Sequence, residues 1–314
     1  MKFFEILDVD KIEKKEEKRT CALGYFDGIH IAHRKIIESA VEKAKKENKI
    51  SVLITFLNSP KNYIKNQNIK IVTPNKLKKR IIENLGIEEL YFLEFNDKLK
   101  KLKKEEFVNK VLKKLNIKDV FCGEDYKFGY MGEGTPMYIK ENHKEINVNI
   151  LNIEKIEENK ISTSLQKKYI LSGEVENYKK ITQRYYQISG IVVRGKQLGR
   201  TIGFPTANLK VTDYIIPQKN GVYLTVVEYN DRLYKGITNI GYNPTVSADN
   251  NLSIETHILN FDEDIYDKEI NIYFCKYIRE EKKFNDMNEL KKQLNIDKIV
   301  AEKEDFKYLK KIKI

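Results

Sequence analysis

The sequence contains few of the residues that build disulfide frameworks or metal centres. Its 314 residues include four histidines and three cysteines, Cys21, Cys122 and Cys275, which are widely separated. An odd number of distant cysteines argues against a disulfide framework and a cysteine-bound metal, and it fits a reducing cytoplasm. No apolar run approaches membrane-spanning length, and the apolar start, residues 1–7, is too short for a signal peptide. We therefore expect a cytoplasmic protein without membrane segments.

The composition is that of a folded, basic protein. Hydrophobic residues make up 41% of the chain, and its length suits two domains with separate cores. The net charge of +12 favours an anionic ligand, but the general abundance of Lys, Ile and Asn, typical of AT-rich coding, explains it equally well. We find no recognisable RNA-binding module and no grouped aromatic residues, so a nucleic-acid partner is not expected.

The first half alternates strand and helix patterns. Segment 34–48 has helical periodicity, and the apolar run 50–56 fits a strand buried on both faces. Thr73 and Pro74 are typical of a helix start, and Gly86 of a helix end. Such alternation predicts a doubly wound parallel sheet, whose ligands bind beyond the carboxyl ends of its strands. The other predicted elements are strands 20–26, 90–95, 119–122 and 146–153 and helix 104–115.

The second half has a different rhythm, made of short strands. The pair Asn230-Asp231 between two of them indicates a two-residue hairpin turn. This spacing predicts a small barrel or sandwich, followed by a Lys-rich helix from Asp286 onward. We place the domain boundary after residue 181, which gives domains 1–181 and 182–314. The predicted strands are 188–193, 222–228, 233–238, 253–259 and 269–277.

The first candidate site is the end of the strand 20–26, with Gly24 and Phe26, and the loop that leads to the following helix. The loop contains Asp27, Gly28, His30 and His33, and the helix starts near His33. A helix N-terminus exposes unpaired N–H groups and attracts phosphate, and histidines beside it can add hydrogen-bond donors. A metal pair or purely structural histidines are the alternatives, and no third metal ligand lies nearby in the sequence.

This loop resembles the H-x-G-H nucleotidyltransferases, and more narrowly the N-terminal domain of the bifunctional riboflavin kinase/FMN adenylyltransferase family, also called FAD synthetases. Segment 123–129 resembles the flavin-side G-x-D-F-x-F-G motif of that family, and segment 161–164 its I-S-S-T phosphate motif; taken alone, these hydroxyls are equally ordinary helix caps. The resemblance implies catalytic roles for His30 and His33. It implies binding of ATP phosphates by Gly24, Phe26, Asp27, Gly28, Ser162, Thr163, Ser164 and Lys167, and binding of flavin by Phe56, Gly123, Asp125, Phe128 and Gly129.

The second candidate site is the glycine-rich segment 195–208. No helical pattern follows it, so it is not a Walker loop. Its glycines allow the backbone to wrap a phosphate, and Thr206 and Asn208 carry oxygens suited to Mg²⁺, although such a turn alone is more often structural.

This second segment resembles the signature of riboflavin kinases, and further matches run towards the C-terminus. The resemblance implies a small β-barrel with a C-terminal helix, and it makes Glu255 the general base, a residue that would otherwise be read as a surface position of a strand. It implies that Thr206 and Asn208 hold the metal. It also implies that ATP and flavin are bound by Gly195, Gly199, Arg200, Gly203, Pro205, Gly221, Tyr223, Asn239 and Arg279.

Together the two resemblances imply that the chain phosphorylates riboflavin to FMN and adenylylates FMN to FAD. ATP is the co-substrate, Mg²⁺ the expected cofactor, and the chain is expected to be a monomer or weak homo-oligomer. Three departures from the family pattern, Ala32, Ser59 and Lys167, motivate an alternative in which only the kinase is active. A flavin- or RNA-binding regulator is the remaining alternative.

Overall fold

The computed structural model describes residues 1–151, 155–156, 159–195, 198–242 and 252–304. The chain divides into two compact units after Thr163. Parts of four expectations lie outside the described residues: the end of strand 146–153, positions 196–197 of the glycine-rich segment, residues 243–245 among the further matches to riboflavin kinases towards the C-terminus, and the end of the C-terminal helix.

The first unit is built on a six-stranded parallel sheet with the order β1-β4-β3-β2-β5-β6, which confirms the predicted doubly wound architecture. Its strands are β1 (Lys2–Ile6), β2 (Arg19–Leu23), β3 (Ile50–Phe56), β4 (Glu89–Leu93), β5 (Ile117–Gly123) and β6 (Asn147–Leu151). A two-stranded ribbon follows, β7 (Lys155–Ile156) and β8 (Asn159–Lys160). The helices of the first unit are α1 (Ile31–Lys46), α2 (Pro60–Lys65), α3 (Asn75–Asn84), α4 (Asp97–Lys101), α5 (Lys104–Phe107) and α6 (Pro136–Asn142).

Helix α5 runs into a π-helical stretch, Val108–Lys113, so the predicted helix 104–115 is not one regular helix. Two short 3₁₀ turns are Val9–Lys11 and Tyr130–Gly132. The central strands β2 and β4 are buried along their whole length, because helices cover both faces of the sheet.

Two boundaries near the first candidate site differ from prediction. Strand β2 ends at Leu23 rather than at Phe26, because Phe26 has a left-handed backbone with φ of 50°. Helix α1 begins at Ile31, three residues earlier than predicted, because the His30 side chain caps it by accepting the N–H of His33. The two differences offset each other, so the loop between β2 and α1 covers residues 24–30 instead of 27–33.

The second unit is a closed antiparallel barrel with the strand order β10-β13-β12-β11-β14-β9. This confirms the barrel that the family resemblance implied and excludes the sandwich. Its strands are β9 (Tyr186–Val193), β10 (Ala207–Lys210), β11 (Gly221–Tyr229), β12 (Arg232–Tyr242), β13 (Leu252–Ile258) and β14 (Glu269–Arg279). Its helices are α7 (Thr163–Leu171), α8 (Val175–Thr182), α9 (Leu198–Thr201) and α10 (Met287–Lys303), and α7 starts at the division between the units.

The hairpin between β11 and β12 turns at Asn230 and Asp231, as predicted. Both residues have positive φ, 47° and 58°, which is the backbone of a type I′ turn. Helix α10 is capped by Asp286, whose carboxylate accepts two backbone N–H groups, and it packs against β11 and β12 through Ala301. The predicted C-terminal helix is therefore confirmed over its described part.

Candidate active sites

The loop between β2 and α1 lies at the point where the strand order of the sheet reverses. From β2 the chain crosses to β3 on one side, whereas β5 lies on the other side of β2. Ligands of open parallel sheets bind at this place, because diverging connections leave a crevice beyond the strand ends. Within the loop, Phe26, Gly28 and Ile29 all have positive φ, 50°, 85° and 39°. Two non-glycine residues in this region mark a strained segment, which is common at functional sites.

The two histidines of the loop lie together at the N-terminus of α1. Their rings are stacked with centroids 3.8 Å apart, and His30 Nδ1 accepts the backbone N–H of His33 over 3.4 Å. Because Nδ1 of His30 is the acceptor, its Nε2 is the nitrogen that carries the proton in the neutral ring. Ala32, the departure from the family's glycine, is 7% exposed and lies between them in the first turn.

Asp27 links the loop to neighbouring segments by hydrogen bonds. Its buried carboxylate accepts the backbone N–H groups of Val72 and Thr73, over 2.8 and 3.1 Å, just before α3. Its carbonyl oxygen accepts the hydroxyl of Thr163 over 2.9 Å. The structure therefore brings Thr163 of the predicted phosphate motif to the loop. Ser162 directly precedes α7, and Ser164 and Lys167 follow in α7 as part of the second unit.

The residues expected on the flavin side follow β3 and β5, the two neighbours of β2. Phe56 ends β3 and its ring contacts those of Tyr25 and Phe95, with centroids 6.3 and 5.8 Å away. Gly123 ends β5, and Asp125 is exposed in the turn that follows.

Two further residues of this group have structural contacts. Phe128 is buried in the core against Phe107, with ring centroids 5.0 Å apart. Gly129 has φ of 75°, and a Cβ there would lie 2.8 Å from the backbone nitrogen of Lys104. Both residues shape the turn after β5, and a contact with flavin stays a prediction for them.

In the barrel, three predicted site residues form one row across neighbouring strands. Glu255 of β13 pairs with Asn208 of β10 on one side and with Asn239 of β12 on the other. Glu255 is half-buried, and its Oε1 accepts the hydroxyl of Ser253 over 3.1 Å. A row of one carboxylate between two amides can position a hydroxyl and take its proton.

The glycine-rich segment packs closely onto this row. A Cβ on Gly195 would collide with the side-chain amide of Asn208, and one on Gly199 with the carbonyl oxygen of Phe204. Gly203 has φ of 83°, which completes the turn. Glycine is needed at the first two positions for close approach and at the third for its backbone.

A cavity of about 290 Å³ opens beside this turn. Three predicted residues, Arg200, Pro205 and Thr206, line it together with Tyr266. Glu255, Asn208 and Asn239 do not line it, so the predicted kinase residues form two adjacent groups rather than one pocket. Three acidic residues that were not predicted as site residues also line the cavity: Asp262, Glu263 and Asp264.

Three other residues that were predicted to bind ligand make contacts within the protein. Tyr223 is fully buried, and its hydroxyl donates to the carbonyl of Lys219 over 2.7 Å. Gly221, with φ of 135°, lies against the carbonyl oxygen of Arg279. The guanidinium of Arg279 makes a bidentate ion pair with Asp297 of α10, with Nε–Oδ1 and Nη2–Oδ2 distances of 3.0 and 2.7 Å. Arg279 therefore joins β14 to α10, and a direct role in ligand binding stays a prediction.

One buried charged residue near the first site escaped the sequence reasoning. Lys78 of α3 is 1% exposed, and burial lowers the pKa of its ammonium to about 8, partly offset by the nearby carboxylate of Asp27. The sequence could have indicated the burial of Lys78, because this residue lies on the apolar face of α3 with Leu77, Ile81 and Ile82.

Both units match known protein families. A family model described as FAD synthetase matches residues 12–166, and one described as riboflavin kinase matches residues 182–304.

Cys21, Cys122 and Cys275 are all free and buried. In the described part of the chain, none of the helices combines the length and the apolar character needed to cross a bilayer.

Relatives match almost the whole chain. The bifunctional riboflavin kinase/FMN adenylyltransferase of Bacillus subtilis is 34% identical over 293 residues, covering 91% of this chain and 92% of its own length. That of Listeria monocytogenes is also 34% identical and covers 89% and 90%. A solved structure named as a macrolide-efflux protein from Streptococcus pneumoniae has a TM-score of 0.87 and 29% identity, and covers 97% of this chain and 100% of that one. With both family models in order along its length and relatives of this identity, the chain belongs to the bifunctional riboflavin kinase/FMN adenylyltransferase family.

Proposed function

We propose that this chain makes FAD in two ATP-dependent reactions, one in each family-matched region. The second region phosphorylates riboflavin, and the first transfers an adenylyl group to the resulting FMN. The observation that carries the proposal is that each region gathers the signature residues of its own family. These are the loop from Gly24 to His33 beyond β2, and the row of Asn208, Glu255 and Asn239 in the barrel.

In the kinase reaction, the terminal ribityl hydroxyl of riboflavin attacks the γ-phosphorus of ATP. The bond between that phosphorus and the β–γ bridging oxygen breaks, ADP leaves, and the hydroxyl proton passes to Glu255. The hydroxyl of Ser253 fixes one carboxylate oxygen of Glu255 and leaves the other for the substrate. Phosphoryl transfer depends mainly on positioning and on neutralisation of charge, so one base and a well-placed triphosphate suffice.

The residues near this row fit a divalent cation. The amide of Asn208 is held against Gly195, where any side chain would displace it, and Thr206 faces the adjacent cavity. Hydroxyl and amide oxygens together with phosphate oxygens are ligands that suit Mg²⁺. We propose that Thr206 and Asn208 hold Mg²⁺, which when bound neutralises charge on the triphosphate.

In the adenylyl transfer, a phosphate oxygen of FMN attacks the α-phosphorus of ATP. The bond to the α–β bridging oxygen breaks and pyrophosphate leaves. The attacking phosphate is already ionised near neutral pH, so the protein does not need to remove a proton from it. The N–H groups in the first turn of α1, with His30 and His33 beside them, supply positive potential where negative charge develops.

The family match supports the bifunctional function over a kinase alone. Two of the departures are compatible with the fold of the first unit, since Ala32 packs within the first turn of α1 and Ser59 caps α2. We also propose, from the sequence and the free cysteines, that the enzyme acts in the cytoplasm as a monomer or weak homo-oligomer. Size-exclusion chromatography with light scattering tests the oligomeric state.

The decisive experiment follows riboflavin, ATP and Mg²⁺ over time by chromatography. FMN should appear first and FAD second, with release of pyrophosphate. FMN without FAD would leave only the kinase, and no phosphorylation by folded protein would refute the assignment of the barrel. Replacement of Mg²⁺ by EDTA should stop both steps. Salt-sensitive RNA retention without turnover would instead favour the regulatory alternative.

A further inference from the structure

Lys78 lies directly behind the nucleotide loop of the first unit. The residue belongs to α3, and its Nζ donates to the carbonyl oxygen of Tyr25 over 3.3 Å. Tyr25 immediately precedes Phe26, one of the strained residues of the loop. The hydroxyl of Thr55 donates to the same carbonyl over 2.7 Å, so Tyr25 is held by two donors from two different elements. Lys78 and Thr55 therefore fix this part of the loop backbone together.

The surroundings of Lys78 do little to compensate for its charge. Its Nζ lies 5.0 Å from the ring centroid of Tyr25 and 5.8 Å from that of Phe92. The carboxylate of Asp27 acts on it, but this carboxylate is occupied by the backbone N–H groups of Val72 and Thr73. Within the residues that the structure describes, one of the three ammonium donors is used in a hydrogen bond.

Packing does not require a charge at this position. Burial of an ammonium with so few partners is unfavourable, and a methionine of similar length would fill the same space. A buried charge with few partners lowers stability, and such unfavourable residues are found mainly at functional sites. The function that gains from a positive charge here is the binding of a triphosphate, because charges act strongly through a poorly solvated interior.

We propose that Lys78 is a positioning residue for adenylyl transfer: it fixes the Tyr25 carbonyl, and its charge favours the ATP triphosphate at the loop. This inference rests on the proposed function of the first region. It predicts that ATP use in FAD formation depends on the charge at position 78, whereas FMN formation by the barrel does not. It also predicts that FAD formation declines as the ammonium loses its proton above about pH 8.

The groups around the ammonium do not titrate near pH 8. The carboxylate of Asp27 faces it from the loop, and the ring of Phe92 on β4 has no titratable group. Tyr25 also faces it, but burial raises the pKa of the Tyr25 hydroxyl to about 12, so it stays neutral near pH 8. The change near pH 8 is therefore assigned to Lys78 itself.

The test uses the full chain with three variants and two activities. Lys78→Met removes the charge, Lys78→Arg keeps it to high pH, and Lys76→Met changes an exposed lysine of the same helix as a control. For FAD formation from FMN and ATP, kcat and the KM for ATP are determined between about pH 6.5 and about pH 9.5. FMN formation from riboflavin is measured on the same samples and reports whether the chain is intact.

For Lys78→Met we expect kcat/KM for ATP in FAD formation to fall about tenfold or more, mainly through KM, with FMN formation unchanged. The decline near pH 8 should vanish in this variant and move to higher pH in Lys78→Arg. Lys76→Met should match the unaltered chain. If Lys78→Met keeps the KM and pH profile of the unaltered chain, the inference is wrong.

If Lys78→Met does not fold, Lys78→Arg decides alone, because a decline that stays near pH 8 overturns the inference. Absence of FAD formation in the unaltered chain would be a different result. It would refute the proposed adenylyl transfer itself, while normal FMN formation showed that the protein was sound.

Discussion

Replacement of Lys78 by methionine should make the first unit more stable. The pKa of this ammonium falls from its ordinary value of 10.5 to about 8, with burial as the main cause. That difference corresponds to a penalty of about 3 kcal/mol on the protonated form at neutral pH. The variant also loses the hydrogen bond to Tyr25, which contributes about 1 kcal/mol. The net gain in the free energy of unfolding is about 2 kcal/mol, or about 4–8 °C in Tm for a unit of this size.

The advantage of Lys78→Met should depend on pH in a defined direction. Between about pH 8 and pH 10.5 the unfolded lysine binds its proton while the folded one has lost it, so the unaltered chain becomes more stable as pH rises. The difference between the two proteins should therefore be largest near pH 7 and shrink through this window.

Differential scanning calorimetry resolves the transition of the first unit, and Lys76→Met serves as the control for removal of a charge from the surface of α3. A Lys78→Met protein that melts below the unaltered chain at pH 7 would refute the reasoning. Such a result would mean that the ammonium is better solvated or better paired than its burial indicates.

The remaining predictions concern single residues of the two sites. Glu255→Gln should lower the rate of FMN formation by about 10²–10⁴-fold while FAD formation from supplied FMN persists, and an equal loss of both rates in a coupled assay would contradict separate sites. His33→Ala should show the reverse pattern, a selective loss of FAD formation, and pyrophosphate release at the original rate would remove His33 from the mechanism. Gly129→Ala should lower the free energy of unfolding by about 1–3 kcal/mol, because its Cβ would meet the backbone of Lys104 and its φ is positive. Gly132→Ala, with φ of 71° but only an ordinary contact with a side chain, is the matched control in urea unfolding, and an equal cost in both variants would exclude the clash.

Much of the fold could be predicted because the patterns that define it are local. Strand β3 has the predicted limits, 50–56, since its apolar run stops where the chain leaves the sheet. The start of α1 was misplaced because a histidine cap is rare, and no sequence pattern announces it. Strand β10 was missed because it has only four residues, which begin at the end of the glycine-rich segment and are too few to show alternation.

The sites could be predicted only as sets of residues. The family motifs named Asn208, Glu255 and Asn239, but their alignment in one row depends on the register of β10, β12 and β13, which is fixed by the whole barrel. The partner of Arg279 was equally hidden, since Asp297 lies 18 positions away and meets it only through the packing of α10. Contacts between distant elements are a property of the assembled fold.

Closure of the barrel also bears on how copies of the chain behave at high concentration. Each barrel strand is hydrogen-bonded on both sides, so the second unit leaves no strand edge free within the described residues on which another molecule could add a strand. The open sheet of the first unit does have two edges, β1 and β6. Lys2 and Glu5 are exposed on β1, and Asn147 is exposed on β6. Among the described strands, backbone pairing between molecules is therefore open only to the first unit, where polar and charged side chains at both edges disfavour it.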